Sequence, residues 1–256
     1  PPLIKGIENI AKIHGYSIIL CDSENESRIE ENHITNLLEK GIEGLIFIPA
    51  PGQSLIIGRL VDDGFPLVFL DRIVENDKIN YVVSANEEGA YQAGKYLLSL
   101  GHRRIVYIAG EKYMSTERDR FSGFRRACEE AGLGLDSELI LTGQHSWDRS
   151  YREVVGIIRK GIRFSAIFAS SDIMAFGAIQ ALEDNGMGVP GDVSIIGYDD
   201  IPFSAAISLT TVSQPAYEMG KNAMILLIDL IKKRVESPHR IVIRPSMIIR
   251  GSCRKV

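Results

Sequence analysis

Charged and hydroxyl side chains directly follow several apolar runs that are typical of buried strands. Asp71 and Arg72 follow one such run, Ser170 and Ser171 follow another, and Asp199 and Asp200 follow a third. Ligands of open parallel sheets bind beyond the carboxyl ends of the strands, so these side chains are candidate ligand contacts. Carboxylate and guanidinium groups would give a polyhydroxylated ligand directed, charge-assisted hydrogen bonds. The alternative for each residue is a solvated loop or a helix cap, and for Asp172 we favour the cap.

Motifs of catalysis and of metal binding are missing from the sequence. It contains no GxGxxG after a strand, no GxxxxGK[ST], no HExxH and no GxSxG. The five histidines are scattered, and none lies three or four residues from another His or a Cys, as a helix-borne metal site requires. We therefore expect a protein that is not an enzyme, with no catalytic residue, no metal ligand and no cofactor.

The charge balance and the cysteines limit the binding partners and the cellular compartment that we expect for this protein. The 29 Lys and Arg residues face 33 Asp and Glu residues, a formal charge of -4 that opposes direct binding to nucleic acid. Three cysteines without CxxC or Cys/His spacing favour a reducing, cytoplasmic compartment. No apolar run approaches the roughly 18 residues of a membrane span. Since the chain starts Pro-Pro-Leu, without Met or a secretion signal, we expect it to be internal to a longer protein.

Helical and strand-like patterns alternate along all 256 residues, which predicts an α/β fold with parallel sheets and crossover helices. This length suits two lobes of roughly 100 to 150 residues each. Strands are predicted at residues 16–20, 45–48, 67–70, 81–83, 105–109, 139–141, 166–169, 193–197, 241–243 and 247–249. Helical periodicity fills most of the intervening segments and is longest at residues 216–234.

Six segments carry motifs that recur together in one known family. They are LGHRRI at 100–105, IAG at 108–110, RFSGF at 120–124, SDIMAFGA at 171–178, VPGDVSIIGYDD at 189–200 and LTTVSQP at 209–215. In this order they resemble the effector-binding core of the LacI/GalR family of bacterial transcription regulators. Each motif is weak alone, but so many in register span essentially the whole chain.

The resemblance implies a periplasmic-binding-protein-like fold with two flavodoxin-like lobes joined by three crossovers. The N-terminal lobe would comprise residues 1–84 and 215–244, and the C-terminal lobe residues 85–213 and 245–256. Family members also carry a helix-turn-helix, a hinge helix and a first strand upstream of the region that begins here. None of these is in this sequence, so we expect them to precede it.

The resemblance also implies an effector site between the lobes. The residues at matching positions are Asp71, Arg72, Arg120, His145, Trp147, Ser171, Asp199 and Gln214. Arg120 offers five fixed donors, and its alternative is a salt bridge to Glu117 or Asp119. His145 aligns with an aromatic residue that stacks on the ligand in some relatives, and Trp147 is an equally suitable candidate for that role.

We therefore expect the effector-binding and dimerisation domain of a LacI-type regulator, and we expect this regulator to be a repressor. It would bind a sugar or a similar small polar metabolite, form a homodimer, and change operator DNA binding through an upstream domain that this chain lacks. The alternative is a periplasmic sugar-binding protein of an ABC transporter, which has the same architecture. The sequence leaves open the effector and whether it induces or co-represses.

Overall fold

Two separate chain segments build each of two units in the computed structural model, which describes residues 2–52, 54–74 and 76–256. The first unit consists of Pro1–Ser84 and Pro215–Ile243, and the second of Ala85–Gln214 and Arg244–Val256. Both units are layered α/β structures, so the predicted fold class is confirmed. Within the described residues, none of the helices combines the length and hydrophobicity that crossing a membrane requires.

The secondary structure alternates as the sequence pattern predicts. The helices are α1 (Pro2–Ile13), α2 (Ser27–Glu39), α3 (Leu55–Asp62), α4 (Asn86–Ser99), α5 (Ser115–Glu130), α6 (Trp147–Arg159), α7 (Asp172–Asp184), α8 (Pro202–Ala206) and α9 (Ala216–Ile231). The strands are β1 (Leu45–Phe47), β2 (Leu67–Leu70), β3 (Asn80–Ser84), β4 (Ile105–Ala109), β5 (Ile140–Thr142), β6 (Ala166–Ala169), β7 (Ser194–Asp199), β8 (Thr210–Ser213), β9 (Arg240–Ile243) and β10 (Ser246–Ile248).

The first unit contains a parallel sheet in the order β1-β2-β3-β9. Both faces of β2 are buried, which explains why its sequence is a continuous apolar run. Val68 packs on one face among residues of α9 such as Ala223. Phe69 packs on the other face, with Ile34 of α2 and edge-on to Phe47 at a centroid distance of 5.4 Å. Helices therefore cover this sheet on both sides.

The second unit contains a sheet in the order β10-β8-β7-β6-β4-β5. Successive residues of β7 again face opposite sides. Ile195 packs in a cluster with Val154 of α6 and Met174 of α7, whereas Ile196 packs with Phe124 of α5 and residues of α4. All strands are parallel except β10, which pairs antiparallel with β8. Parallel pairing brings the carboxyl ends of β4, β6, β7 and β8 to one edge.

One predicted strand is wrong. Residues 16–20 form no strand in the structure, and the side chains of Ile18, Ile19 and Leu20 are 41%, 55% and 69% exposed. A strand needs a neighbour for its backbone groups, and within the described residues β1 pairs with β2 alone. The apolar run therefore stays irregular because nothing in the described part of the chain pairs with it.

Buried His102 joins the end of the chain to the second sheet. Its Nδ1 atom lies 2.9 Å from Ser165 Oγ, and its Nε2 atom lies 3.0 Å from Ser194 Oγ and 3.1 Å from the carbonyl oxygen of Arg254. Burial lowers the pKa of His102, which favours the neutral ring. The imidazole thus holds the C-terminal segment against the starts of β6 and β7.

The crossing of α4 and α5 gives a stability prediction. A Cβ atom at Gly123 would overlap the carbonyl oxygen of Glu87, so Gly123→Ala should destabilise the fold by about 1 to 3 kcal/mol. A Cβ at Gly156 of α6 would meet no atom within 4 Å, so Gly156→Ala should be neutral or stabilising by up to about 1 kcal/mol. Urea unfolding of both variants measures the difference. Equal effects would contradict the close helix crossing.

Candidate ligand site in the second unit

Arg120, on α5, is the centre of a buried polar network in the second unit. Its side chain is 4% exposed. Nε donates to Asn86 Oδ1 at 2.9 Å, and Nη1 donates to the Ser170 carbonyl oxygen at 2.6 Å. Nη1 also lies 3.7 Å from Glu117 Oε1, and Nη2 lies 3.5 Å from Asp199 Oδ1. The salt bridge to Glu117, weighed above as the alternative to ligand contact, is therefore present.

Glu117 is one turn before Arg120 on the same helix and is also buried. Its Oε2 atom accepts hydrogen bonds from the Gly110 backbone at 2.8 Å and from Ser170 Oγ at 2.6 Å. Its Oε1 atom lies 3.2 Å from His145 Nε2. Burial by itself raises the pKa of Glu117, but His145, Arg120 and Ser170 outweigh it and lower the pKa below the ordinary value. The carboxylate is therefore ionised.

His145 lies between two carboxylates in the turn between β5 and α6. Its Nε2 atom is 3.2 Å from Glu117 Oε1 and 3.6 Å from Glu111 Oε2, and its side chain is 29% exposed. A side chain at Gly110 would overlap this nitrogen, so the close approach requires glycine there. Burial lowers the pKa of His145, but the hydrogen bond to Glu117 and the charges of Glu117 and Glu111 raise it above the ordinary value.

The opposite end of the network lies at the carboxyl ends of β7 and β8. Gln214 Nε2 donates to Asp199 Oδ1 at 2.8 Å, and Asp199 has a positive φ of 112°. Gln214 Oε1 is buried and has no hydrogen-bond partner among the described residues. The same holds for Glu111 Oε2, at the other end of the network. At each end of the network a buried acceptor atom is thus available to a donor that the described residues do not supply.

Six side chains form a continuous series of contacts, which we call the charged row. In order they are Gln214, Asp199, Arg120, Glu117, His145 and Glu111, with successive distances of 2.8, 3.5, 3.7, 3.2 and 3.6 Å. The ring of Tyr198 lies below the Arg120 guanidinium, with its centroid 3.8 Å from Cζ. The structure thus brings four of the predicted site residues of this unit together. In the part of the chain that is described, no group of His, Cys, Asp or Glu side chains could hold a metal ion.

The other two predicted residues of this unit contact residues outside the charged row. Ser171 is the N-cap of α7, where its hydroxyl accepts from the Met174 backbone at 3.4 Å. Trp147 is the first residue of α6, is 43% exposed, and stacks on Tyr151 with ring centroids 5.5 Å apart. Ser171 therefore caps α7, and contact of either residue with a ligand stays a prediction.

Asp172 is not a helix cap, so that prediction is wrong. Its carboxylate is buried and accepts from the Ile201 backbone at 2.9 Å and from the hydroxyls of Ser204 and Thr211, both at 2.6 Å. Burial raises the pKa of Asp172, although these three hydrogen bonds act in the opposite direction. The side chain joins α7 to α8 and β8.

Asp71 and Arg72 belong to the first unit. Asp71 directly follows β2 with a positive φ of 67°, and its backbone donates to the Val82 carbonyl oxygen at 3.0 Å. Arg72 Nη1 donates to Asn25 Oδ1 at 2.8 Å. Both residues therefore lie at the carboxyl edge of the first sheet, as the sequence predicts, and their contact with a ligand stays a prediction.

The matches to known proteins agree with this architecture. Residues 95–253 match the model of a periplasmic binding protein-like domain. The HTH-type transcriptional repressor PurR of Pectobacterium atrosepticum is 33% identical over 254 residues, which cover 98% of this chain and 74% of that protein. The chain belongs to the LacI/GalR family. This confirms the resemblance and the function that follows from it, the effector-binding domain of a transcriptional regulator.

Solved LacI-type regulators have closely similar structures. The transcriptional regulator CelR in complex with cellobiose has a TM-score of 0.91 and 27% identity, over 98% of this chain and 78% of that one. A LacI family regulator of Enterococcus faecium with bound ribose has a TM-score of 0.87 and 28% identity, over 100% of this chain and 94% of that one. The alternative, a binding protein of an ABC transporter, is not favoured.

Sequence reasoning missed several members of the network in this LacI-type domain. Asn86, Glu111 and Tyr198 are not among the predicted site residues, and Ser170 is predicted only as one of the polar residues that follow a strand. The rule used for Asp199 would also have found Glu111, since it follows a buried strand that ends at the same edge. No sequence signal marks the aromatic ring below the guanidinium, because that contact depends on how α5 packs against β7.

The two carboxylates around His145 predict a pH-dependent stability. The folded pKa of His145 is above its unfolded value of about 6.5, so its contribution is complete below about pH 6.5 and is lost as the pH rises through the folded pKa. His145→Gln should cost about 1 to 3 kcal/mol in mildly acidic buffer and less in alkaline buffer. Urea unfolding at about pH 6, 7.5 and 9 measures this, with the exposed His14→Gln as the control. A cost that does not change with pH would contradict the assignment.

Proposed function

We propose that this domain senses a sugar or a similar small polar metabolite and thereby changes the operator binding of its regulator. The observation that carries the proposal is the charged row, where ionised and amide groups line the carboxyl ends of β4, β6, β7 and β8. Such groups offer a hydroxyl-rich ligand both donors and acceptors in a partly dry site. The names of two similar structures, with cellobiose and with ribose, support a sugar.

The proposed ligand contacts in the second unit are Arg120, His145, Trp147, Ser171, Asp199 and Gln214. Arg120 would act mainly by holding Asp199 and Glu117 in place, because most of its donors already bind protein acceptors. The indole of Trp147 would stack on the C–H face of a sugar ring. From the first unit, Asp71 and Arg72 stay in the proposal because they match family positions.

We infer that the regulator acts as a homodimer, since two-fold operators require two DNA-binding elements at a fixed separation. Operator DNA would be bound by a domain outside this chain, whose own charge is -4. The domain would work in the cytoplasm, without contact to a membrane and without catalysis. A ligand that prefers one conformation would then shift the population of the DNA-binding state.

Ligand binding can be tested at Gln214, whose amide oxygen is buried without a partner. A saturating sugar at 100 times its Kd should stabilise the domain by about 2.7 kcal/mol. Gln214→Ala removes one acceptor and the donor to Asp199, so the affinity should fall about tenfold or more. Calorimetry with ribose, cellobiose and a panel of common sugars measures both effects. Gln92→Ala, at an exposed position of α4, is the control, and equal affinity of the two variants would contradict the assignment.

Regulation is tested with the full-length protein. Its affinity for its own promoter should change severalfold or more when the sugar found by calorimetry is added at saturation, because coupling energies are typically about 1 to 3 kcal/mol. Gel-shift or anisotropy titrations at one fixed salt concentration measure the two affinities. Identical affinities with and without the sugar would contradict an allosteric role, even if the sugar and the DNA each bind well.

A further inference from the structure

The charged row contains more negative than positive groups. Three carboxylates, Glu111, Glu117 and Asp199, face one guanidinium and one imidazole. The row therefore keeps a negative excess even when the imidazole is protonated. The next acidic residue along the chain, Asp200, does not change this charge balance, because Arg250 pairs with it at 2.7 Å.

The atoms in the row that lack partners are acceptors. Glu111 Oε2 and Gln214 Oε1 are buried and accept no hydrogen bond from any described residue. His145 Nε2 lies 3.6 Å from Glu111 Oε2, which is beyond hydrogen-bond distance. Buried acceptors are normally satisfied, so both ends of the row require a ligand or water that donates.

We propose that the charged row selects ligands by charge, accepting neutral hydroxyl-rich or amine-bearing molecules and excluding anionic ones such as sugar phosphates and sugar acids. This inference rests on the proposed function and specifies its ligand class. A hydroxyl or an ammonium group can donate to Glu111 and Gln214. A phosphate or carboxylate group offers these atoms no donor and places a negative charge beside the carboxylates of the row, which is repulsive.

Arg120 does not offset this exclusion. Its Nε and Nη1 atoms bind Asn86 and Ser170, and its two ion-pair contacts are to Glu117 and Asp199. The guanidinium is therefore already neutralised by acids of the row. An anionic ligand would have to compete with these carboxylates for the same donors.

Ligand binding is followed by calorimetry and by the fluorescence of Trp147, the single tryptophan, which lies two residues after His145 in the sequence. The probes are D-glucose, D-glucosamine, D-glucose 6-phosphate and D-gluconate, with D-ribose and D-ribose 5-phosphate as a second pair. Thermal unfolding with each probe is the independent second measurement.

We expect each anionic probe to bind at least tenfold more weakly than its neutral or amine-bearing counterpart. An anionic probe that binds more tightly than its counterpart would overturn the inference and leave the proposed sensing function intact. If none of these probes, and no sugar in the calorimetric panel, changes the fluorescence or the thermal midpoint, the proposed function itself is contradicted and the inference with it.

A charge variant tests the cause of the selection. Glu111→Gln keeps the size of the side chain and removes one negative charge. The affinity for the neutral probe divided by the affinity for the anionic probe should therefore fall about tenfold. Glu183→Gln, exposed on α7, makes the same charge change away from the row and should leave the ratio unchanged.

A second variant allows the same test if Glu111→Gln does not fold. Gln214→Glu adds a carboxylate at the opposite end of the row and should increase the same affinity ratio. If the ratio stays unchanged in every folded variant, charge in the row does not set the selectivity. The proposed sensing function would survive that result, since ligand binding would persist.

Discussion

The burial of one guanidinium constrains much of the second unit. A buried cation must be neutralised and hydrogen-bonded, and Arg120 satisfies this through α4, the end of β6 and the end of β7. Each of these elements therefore has to end or begin at a fixed place around α5. The parallel sheet makes this possible, because its strands end at one edge. The position of Asp199 and, through it, of Gln214 depends on the same guanidinium.

The second requirement is space for the imidazole beside these acids. Gly110 leaves room for His145, and the same backbone amide donates to Glu117, so one residue fixes both partners of the ion pair. The opposing pKa shifts of the two groups have a common origin, since each charge is stabilised by the other. A site of this kind is assembled before a ligand arrives, which reduces the cost of ordering it on binding.

The sequence predicts the buried strands and most helices, because both faces of strands such as β2 and β7 are apolar. It misses β8, whose residues Thr210 and Thr211 are polar but buried, with hydroxyls that bind the Arg250 backbone and Asp172. It places a strand at residues 16–20, where the apolar pattern is present but no partner strand is. The family motifs include Arg120, Asp199 and Gln214, which the structure brings into contact, whereas Glu111 lies outside those motifs and is indicated only by its position after β4 at the same sheet edge.

The interleaved course of the chain has a consequence for synthesis. The sheet of the first unit includes β9, and the sheet of the second unit includes β10, both from the last 17 residues of the chain. The carbonyl of Arg254, which binds His102, comes later still. On the ribosome, neither sheet can be completed until this segment has left the exit tunnel. Until then both units have unpaired strand edges. Such edges are prone to aggregation, so this is the interval in which chaperones protect the nascent chain most.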